Sequence, residues 1–218
     1  MAKDFLEIVA VRHGETVANC SGIIQGHSNS QLNELGIKQA QKVAMRLQNE
    51  HFDAVFASDL DRAADTAKAI LQYHQNLQIN YTTALREWHL GVLQNQNYAE
   101  MTPEHKQLVD ILRSSETVPP IPGGETFEEF QQRVSDFLES LAANYMGKRL
   151  LLVSHGGTVQ RMLRHCMGIL SPGNFRPACS NTSISVFRKR GDGFWQLISW
   201  NDTAHLDDSL QPTNPLPI

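Results

Sequence analysis

The sequence predicts an α/β fold, a three-layer α/β/α sandwich around a mostly parallel central sheet. Three observations predict it. Short apolar runs at Glu7–Val11, Asp53–Ala57 and Arg149–Val153 have the form of strands buried on both faces. Each is followed by a segment with helical spacing of its apolar residues, the alternation that gives parallel strands joined by right-handed helical crossovers. Two of the runs also end alike, on Arg12-His13-Gly14 and Ser154-His155-Gly156, and carboxyl ends of strands are where open α/β sheets bind ligands.

Glu7–Val11 delivers Arg12 and His13 at its end. The stretch Glu15–Ser30 has little periodicity and reads as a long loop overhanging that strand end. Asn33 is placed as an N-cap with Leu32 and Ile37 as a hydrophobic staple, and Ile37, Ala40, Ala44 and Leu47 continue the helix. After the second strand, Asp53–Ala57, either Ser58 or Asp59 is read as the cap of a helix through Ala63, Ala67, Ile70 and Leu71. A third strand is expected within Leu77–Leu85. Residues 97–113 predict one or two short helices, and Val118–Gly124 an irregular loop. Thr126-Phe127-Glu128-Glu129 is a capping box that opens an amphipathic helix through Phe130, Val134, Phe137, Leu138 and Leu141 to Tyr145. Arg149–Val153 is the fourth strand and Gly157–Met167 the next helix. Thr182–Phe187 and Phe194–Trp200 flank Arg190-Gly191-Asp192-Gly193, a hairpin signal at the sheet margin. One domain is expected over residues 1–206, with a disordered, Pro-rich tail at 207–218.

The bulk numbers agree with a globular enzyme-sized domain: 218 residues, 41% hydrophobic and 19% charged. A net charge of -4 without a Lys/Arg run leaves no footprint for a nucleic-acid partner. Cys20, Cys166 and Cys179 are odd in number and lack C-x-x-C spacing, which is the pattern of reduced thiols. No signal segment and no run of membrane-spanning length is present, so no membrane partner and a cytoplasmic location are expected. A homodimer through a sheet edge is left open.

The strand ends bring a defined chemistry together. Arg62 lies one helical turn beyond the second strand, and Glu87 follows the third. Two arginines, two histidines and a carboxylate suit transfer of a phosphoryl group with neither metal nor cofactor. The dianion of a phosphomonoester needs planar, bidentate donors such as Arg12 and Arg62, supplemented by protonated His155. His13, neutral at its attacking nitrogen, is the nucleophile, and Glu87 the general acid and base. The helix after Gly156 adds free N–H groups and the positive end of its dipole.

The motifs Arg12-His13-Gly14-Glu15-Thr16 with Asn19, Gln25-Gly26, Leu32-Asn33-Glu34-Leu35-Gly36 and Ser58-Asp59-Leu60-Asp61-Arg62-Ala63 resemble those of the histidine phosphatase superfamily, in its phosphoglycerate mutase-like branch. The resemblance continues through Leu85-Arg86-Glu87, Gly123-Gly124-Glu125, Ser154-His155-Gly156-Gly157 and Asn201-Asp202-Thr203-Ala204-His205-Leu206. It implies a phosphohistidine on His13, a phosphate pocket of Arg12, Arg62 and His155 assisted by Asn19, substrate contacts at Gln25, Gly26 and Gly156, and Glu87 as proton donor. The substrate implied is a small-molecule phosphomonoester. Mutases of the family are similar to one another in a cationic insertion after the acid Glu and an Asn-Ser after the second His-Gly. Here that stretch holds only Lys106 and Arg113, and His155 is followed by Gly156-Gly157-Thr158; both features favour a phosphatase, with mutase or bisphosphatase activity the alternative.

His27-Ser28-Asn29-Ser30 and Trp88 depart from the family pattern where substrate would be read. His27, His51, His74, His105 and His165 read as structural, His89 and His205 as undetermined, and Glu125 as either a helix-start carboxylate or a substrate contact. Three rivals compete. Asp59-Leu60-Asp61 is similar to the Asp-x-Asp of magnesium-dependent phosphatases. Ser154, Asp202 and His205 have the chain order of a hydrolase triad, but Leu152 stands where the nucleophile elbow needs glycine. A phosphate-binding module without catalysis, its crevice occluded by Trp88, is the third.

Overall fold

The computed structural model describes residues 4–114, 118–169, 175 and 177–210. Among these, six strands form one sheet: β1 (Phe5–Arg12), β2 (Ala54–Ser58), β3 (Ile79–Thr82), β4 (Arg149–Ser154), β5 (Ile184–Arg190) and β6 (Trp195–Asp202). Their order is β3-β2-β4-β1-β5-β6. The first four pair in parallel, while β5 is antiparallel to both β1 and β6, which is the mostly parallel sheet expected.

Alternation along the strands divides the core into two halves. Val9 and Val11 of β1, Val55 and Ala57 of β2, and Leu151 and Val153 of β4 pack against α2 (Glu34–Leu47) and α3 (Asp61–Leu71). Ile8, Ala10, Leu150 and Leu152 point the opposite way, onto Phe130, Val134 and Leu138 of α5 (Phe127–Tyr145) and Val159 and Met162 of α6 (Gly156–Cys166). Helices on both faces explain why these strands read as apolar runs, since most of their positions are buried and none is fully exposed. Burial of each large side chain, such as the fully buried Phe130 and Leu138, stabilises the fold by about 1.5–3 kcal/mol.

Several local expectations shift for identifiable reasons. Asn33 caps α2 through the Gly36 N–H as expected, at 2.7 Å. The staple is absent, however, because Ile37 is 48% exposed. The helix instead presents Gly36, Gln39, Ala40 and Val43 inward, and Gly36 lies so close to the Glu15 backbone that a Cβ there would collide with it. Helix α3 is capped by Leu60, not by the side chain of Ser58 or Asp59, since the Asp59 carboxylate is held by both Nε and Nη2 of Arg86. The third strand stops at Thr82, whose hydroxyl accepts from the Ala84 N–H and starts a 3-10 turn at Thr83–Leu85. Residues 97–113 contain a 3-10 turn, Tyr98–Glu100, and all but the last residue of α4 (Pro103–Ser114), the short helices expected. The chain makes buried contacts as far as Leu210, in a 3-10 turn at Asp208–Leu210 whose last carbonyl accepts from Gln39 Nε2; residues 211–218 of the expected tail lie outside the described residues. No helix among the described residues is long and apolar enough to cross a membrane.

Candidate active site

Insertion of β4 between β1 and β2 decides the geometry of the strand ends. Arg12 is in register with Ser154, and Ala57 with Val153, so the residues that follow emerge at one level across three strands. The His13 and His155 rings consequently meet edge to face, with centroids 5.1 Å apart. His13 is held on both sides of its peptide: its N–H donates to the Ser154 carbonyl at 2.9 Å, and its own carbonyl accepts from Asn181 Nδ2 at 3.0 Å.

The two imidazoles have different tautomers, assigned from their partners. His13 Nδ1 lies 2.7 Å from the Gly14 carbonyl and must donate to it, which leaves the lone pair on Nε2. His155 is reversed: Nδ1 accepts from Arg62 Nε at 3.1 Å, and Nε2–H points to Ser58 Oγ at 2.8 Å. The imidazolium expected at His155 is therefore a neutral ring in this structure. Both histidines titrate well below the usual imidazole range, first because burial penalises the charged form and then because Arg62 and Arg12 repel it.

This has a measurable consequence for stability. The unfolded chain takes up protons on both rings before the folded protein does. The stability contributed by the neutral rings is therefore complete above the unfolded value of 6.5 and is lost as pH falls through the depressed folded values. Thermal melts between about pH 5 and 8 should show His155→Gln losing less stability on acidification than the wild type. Equal acid dependence in the two proteins would refute this origin.

Both arginines are buried beside the imidazoles. Arg62 Nη1 donates to the Ser28 carbonyl and Nη2 to that of Gly26, each at 2.8 Å, which closes the 15–30 loop over the strand ends. Its pKa is lowered to about 10 by burial, so it remains a cation at neutral pH. Arg12 Nη1 donates to the Cys179 carbonyl at 2.6 Å, while its Nε is buried without a hydrogen-bond partner. A buried unpaired donor on a cation costs several times an ordinary hydrogen bond's contribution and marks a position for an acceptor. Arg12 packs directly over Gly156, the first residue of α6, and the buried Gln25 Oε1 is also unpartnered. Asn19 stands at the start of the same loop, where its Oδ1 accepts from the Thr16 N–H and hydroxyl and completes the capping box of α1 (Val17–Cys20).

Glu87 comes from the segment between the 3-10 turn and the next helical piece, and reaches α6. Its Oε2 accepts from the Gly157 N–H and its Oε1 from the Trp88 N–H, both at 3.0 Å. A side chain at position 157 would run into Glu87 Oε1, so glycine there permits the approach. The five residues expected to carry the chemistry, Arg12, His13, Arg62, Glu87 and His155, thus converge with Gly26 and Gly156 on one crevice. Reading the sequence missed several groups that hold them: Ser58 at the end of β2, Asn181 behind His13, and Arg133 on α5, whose guanidinium donates to the Glu87 carbonyl at 3.1 Å. Only Ser58 carried a local signal, its place at a strand end; the others act across long sequence separations.

The remaining expectations are resolved by partners. His27, read as structural, donates from Nε2 to the Glu87 carbonyl at 2.7 Å and meets His89 edge to face. Glu125 is engaged by Arg133 through both oxygens, with Nε and Nη2 each at 2.8 Å. Trp88 does not occlude the crevice: its indole is 7% exposed, stacked on Phe130, and donates to the Glu125 carbonyl. Ser154 Oγ is buried and donates to the Leu85 carbonyl, Asp202 accepts from the Ala204 N–H, and His205 approaches Thr182, so no hydrolase triad forms. Asp59 is committed to Arg86, and no group of three His, Cys, Asp or Glu side chains able to hold a metal ion occurs among the described residues.

Residues 8–203 match the model of the histidine phosphatase superfamily, branch 1. The metal-independent phosphoserine phosphatase of Arabidopsis thaliana is 38% identical over 202 residues, covering 92% of this chain and 83% of the relative. Phosphoglycerate mutase-like protein 4 of the same plant is 34% identical over 214 residues, covering 94% and 89%. Among solved structures, YhfR of Bacillus stearothermophilus superposes with a TM-score of 0.86 at 24% identity, covering 93% of this chain and 100% of that one, which is a likeness of fold. With strand-end histidines, buried arginines and a carboxylate in one crevice, the chain belongs to branch 1 of the histidine phosphatase superfamily and is a phosphatase-type enzyme.

Proposed function

We propose that the enzyme hydrolyses a small-molecule phosphomonoester, without a metal ion, through a phosphohistidine on His13 with Glu87 as general acid and base. The observation that carries this reading is the state of His13: buried, neutral, and tautomerically set by Gly14 so that Nε2 keeps its lone pair. A neutral imidazole between two guanidinium groups is poised to attack an electrophile that arrives as an anion.

In the first half-reaction Nε2 forms a bond to phosphorus while the bond to the ester oxygen breaks, and Glu87 gives its proton to the departing alkoxide. Arg12 and Arg62 neutralise the phosphoryl oxygens, and one of these oxygens supplies the partner that Arg12 Nε lacks. A bound dianion also raises the proton affinity of His155, which favours a charged ligand at that ring. In the second half-reaction water attacks the phosphohistidine, its proton passes to the Glu87 carboxylate, and inorganic phosphate leaves with His13 restored. Gln25, Gly26 and Gly156 line the approach to substrate, and Asn19, its Oδ1 fixed by Thr16, assists the phosphate pocket through its Nδ2 amide.

Likeness to phosphoglycerate mutase-like protein 4 favours a second reading, transfer of the phosphoryl group back to the substrate. Against it, Lys106 donates to the Ala99 carbonyl, and the Arg113 guanidinium lies 4.7 Å above the Tyr98 ring. Phosphate release from phosphoserine, 3-phosphoglycerate and sugar phosphates in excess EDTA, alongside interconversion of 3- and 2-phosphoglycerate, separates these readings. Release in EDTA is expected. Interconversion without release would assign a mutase, and saturable binding of the esters without turnover a phosphate-binding module.

A further inference from the structure

We propose that Arg133, paired with Glu125, is the positioning residue of the general acid. This rests on the reading of Glu87 as that acid. Glu87 lies in residues 86–90, which form neither helix nor strand, so side chains must fix its place. One guanidinium reaches four carbonyls here, beside His27 Nε2 on that of Glu87, Thr158 Oγ1 on that of Arg86 and Ser154 Oγ on that of Leu85. Arg133 Nη1 donates to the carbonyls of Thr83, Ala84 and Arg86 at 3.4, 3.0 and 2.9 Å, and Nη2 donates to that of Glu87 at 3.1 Å. The same group is oriented by Glu125, whose Oε2 also accepts from the His89 N–H at 2.9 Å.

The backbone is therefore gripped on both sides of residue 87, by Arg133 at 83–87 and by Glu125 at 89. Trp88 adds a third anchor through its indole N–H to the Glu125 carbonyl. The pair is about four-fifths buried, with side-chain exposures of 20% and 22%. Burial alone would raise the pKa of Glu125, but its hydrogen bonds with Arg133 and the His89 N–H prevail, and the carboxyl is held below its ordinary value. Arg133 Nε and both Nη groups are used inside the protein, so its action on a substrate runs through Glu87. Only a planar fork can span four carbonyls and a carboxylate; a lysine ammonium has three donors at one point.

The test compares two esters. One is p-nitrophenyl phosphate, whose leaving group needs little protonation. The other is whichever of phosphoserine, 3-phosphoglycerate and glycerol 2-phosphate is turned over fastest. Arg133→Met should lower kcat on the alkyl ester by roughly 10-fold or more, with KM nearly constant and the initial p-nitrophenol burst from p-nitrophenyl phosphate changed by less than about 3-fold. Arg133→Lys should recover part of the loss. In Arg133→Met with Glu87→Gln, the alkyl-ester rate should match Glu87→Gln alone, because both act through one group. Should Arg133→Met fail to fold, Arg133→Lys and Glu125→Gln carry the same comparison. A burst slowed as much as alkyl-ester turnover, or losses that add to those of Glu87→Gln, overturn the positioning role while leaving the acid assignment intact. A p-nitrophenol burst slowed in Glu87→Gln itself as strongly as alkyl-ester turnover overturns the acid assignment and the positioning role with it.

Discussion

His13→Ala should abolish turnover of every phosphomonoester the enzyme accepts, by roughly 10⁴–10⁶-fold in kcat, the scale on which loss of a nucleophile is felt. The substitution removes the buried lone pair on Nε2, which lies in the field of the Arg62 and Arg12 guanidinium groups. Its structural cost is small by comparison, because the His13 backbone is held by Ser154 and Asn181 whatever the side chain, and the ring makes one hydrogen bond, to Gly14. Rapid quenching of the wild type with a labelled ester should trap an acid-labile phosphoenzyme that is missing from His13→Ala. Substantial turnover by a folded His13→Ala protein, or a phosphoenzyme that persists in it, would remove His13 from the role of nucleophile.

The second large effect is expected at Glu87 and should depend on the leaving group. Glu87→Gln keeps a carbonyl oxygen able to accept from the Gly157 or Trp88 N–H, so the loop retains its anchor while the transferable proton is lost. Alkyl esters should then lose about 10²–10⁴-fold in kcat, the usual contribution of a positioned acid. Aryl esters with acidic phenols should lose far less in the step that forms the phosphohistidine, because the phenolate departs unaided. A steady-state rate on an aryl ester can still fall if hydrolysis of the intermediate becomes limiting, so the initial burst of phenol is the cleaner measurement. A burst slowed as strongly as alkyl-ester turnover would show that Glu87 supports the crevice in some other way.

Much of the crevice was legible along the chain because strand ends are local features. An apolar run that stops at His-Gly places its imidazole beyond the carboxyl edge of a sheet wherever that sheet is, and Arg62, one turn into α3, follows from the same logic. The readings that failed were those in which two local roles competed for one side chain. Asp59 was a reasonable helix cap until Arg86 claimed both its oxygens. Ile37 fitted a staple, but contact between Gly36 and the Glu15 backbone turned the helix so that Ile37 faces solvent.

Residue order alone specified the α/β class, the strand-end histidines, the capped start of α5 and the family, because periodicity, caps and motif spacing act over a few residues at a time. It could not specify the protonation of His155, which depends on a 93-residue separation closed by the Arg62 contact. Nor could it show that Arg133, an unexceptional position on an amphipathic helix, holds the Glu87 backbone from 46 residues away. Both depend on β4 lying between β1 and β2 and on α5 packing beneath the loop after β3. Such contacts are decided by the burial of whole faces of the sheet, a property of the assembled chain that no short stretch contains.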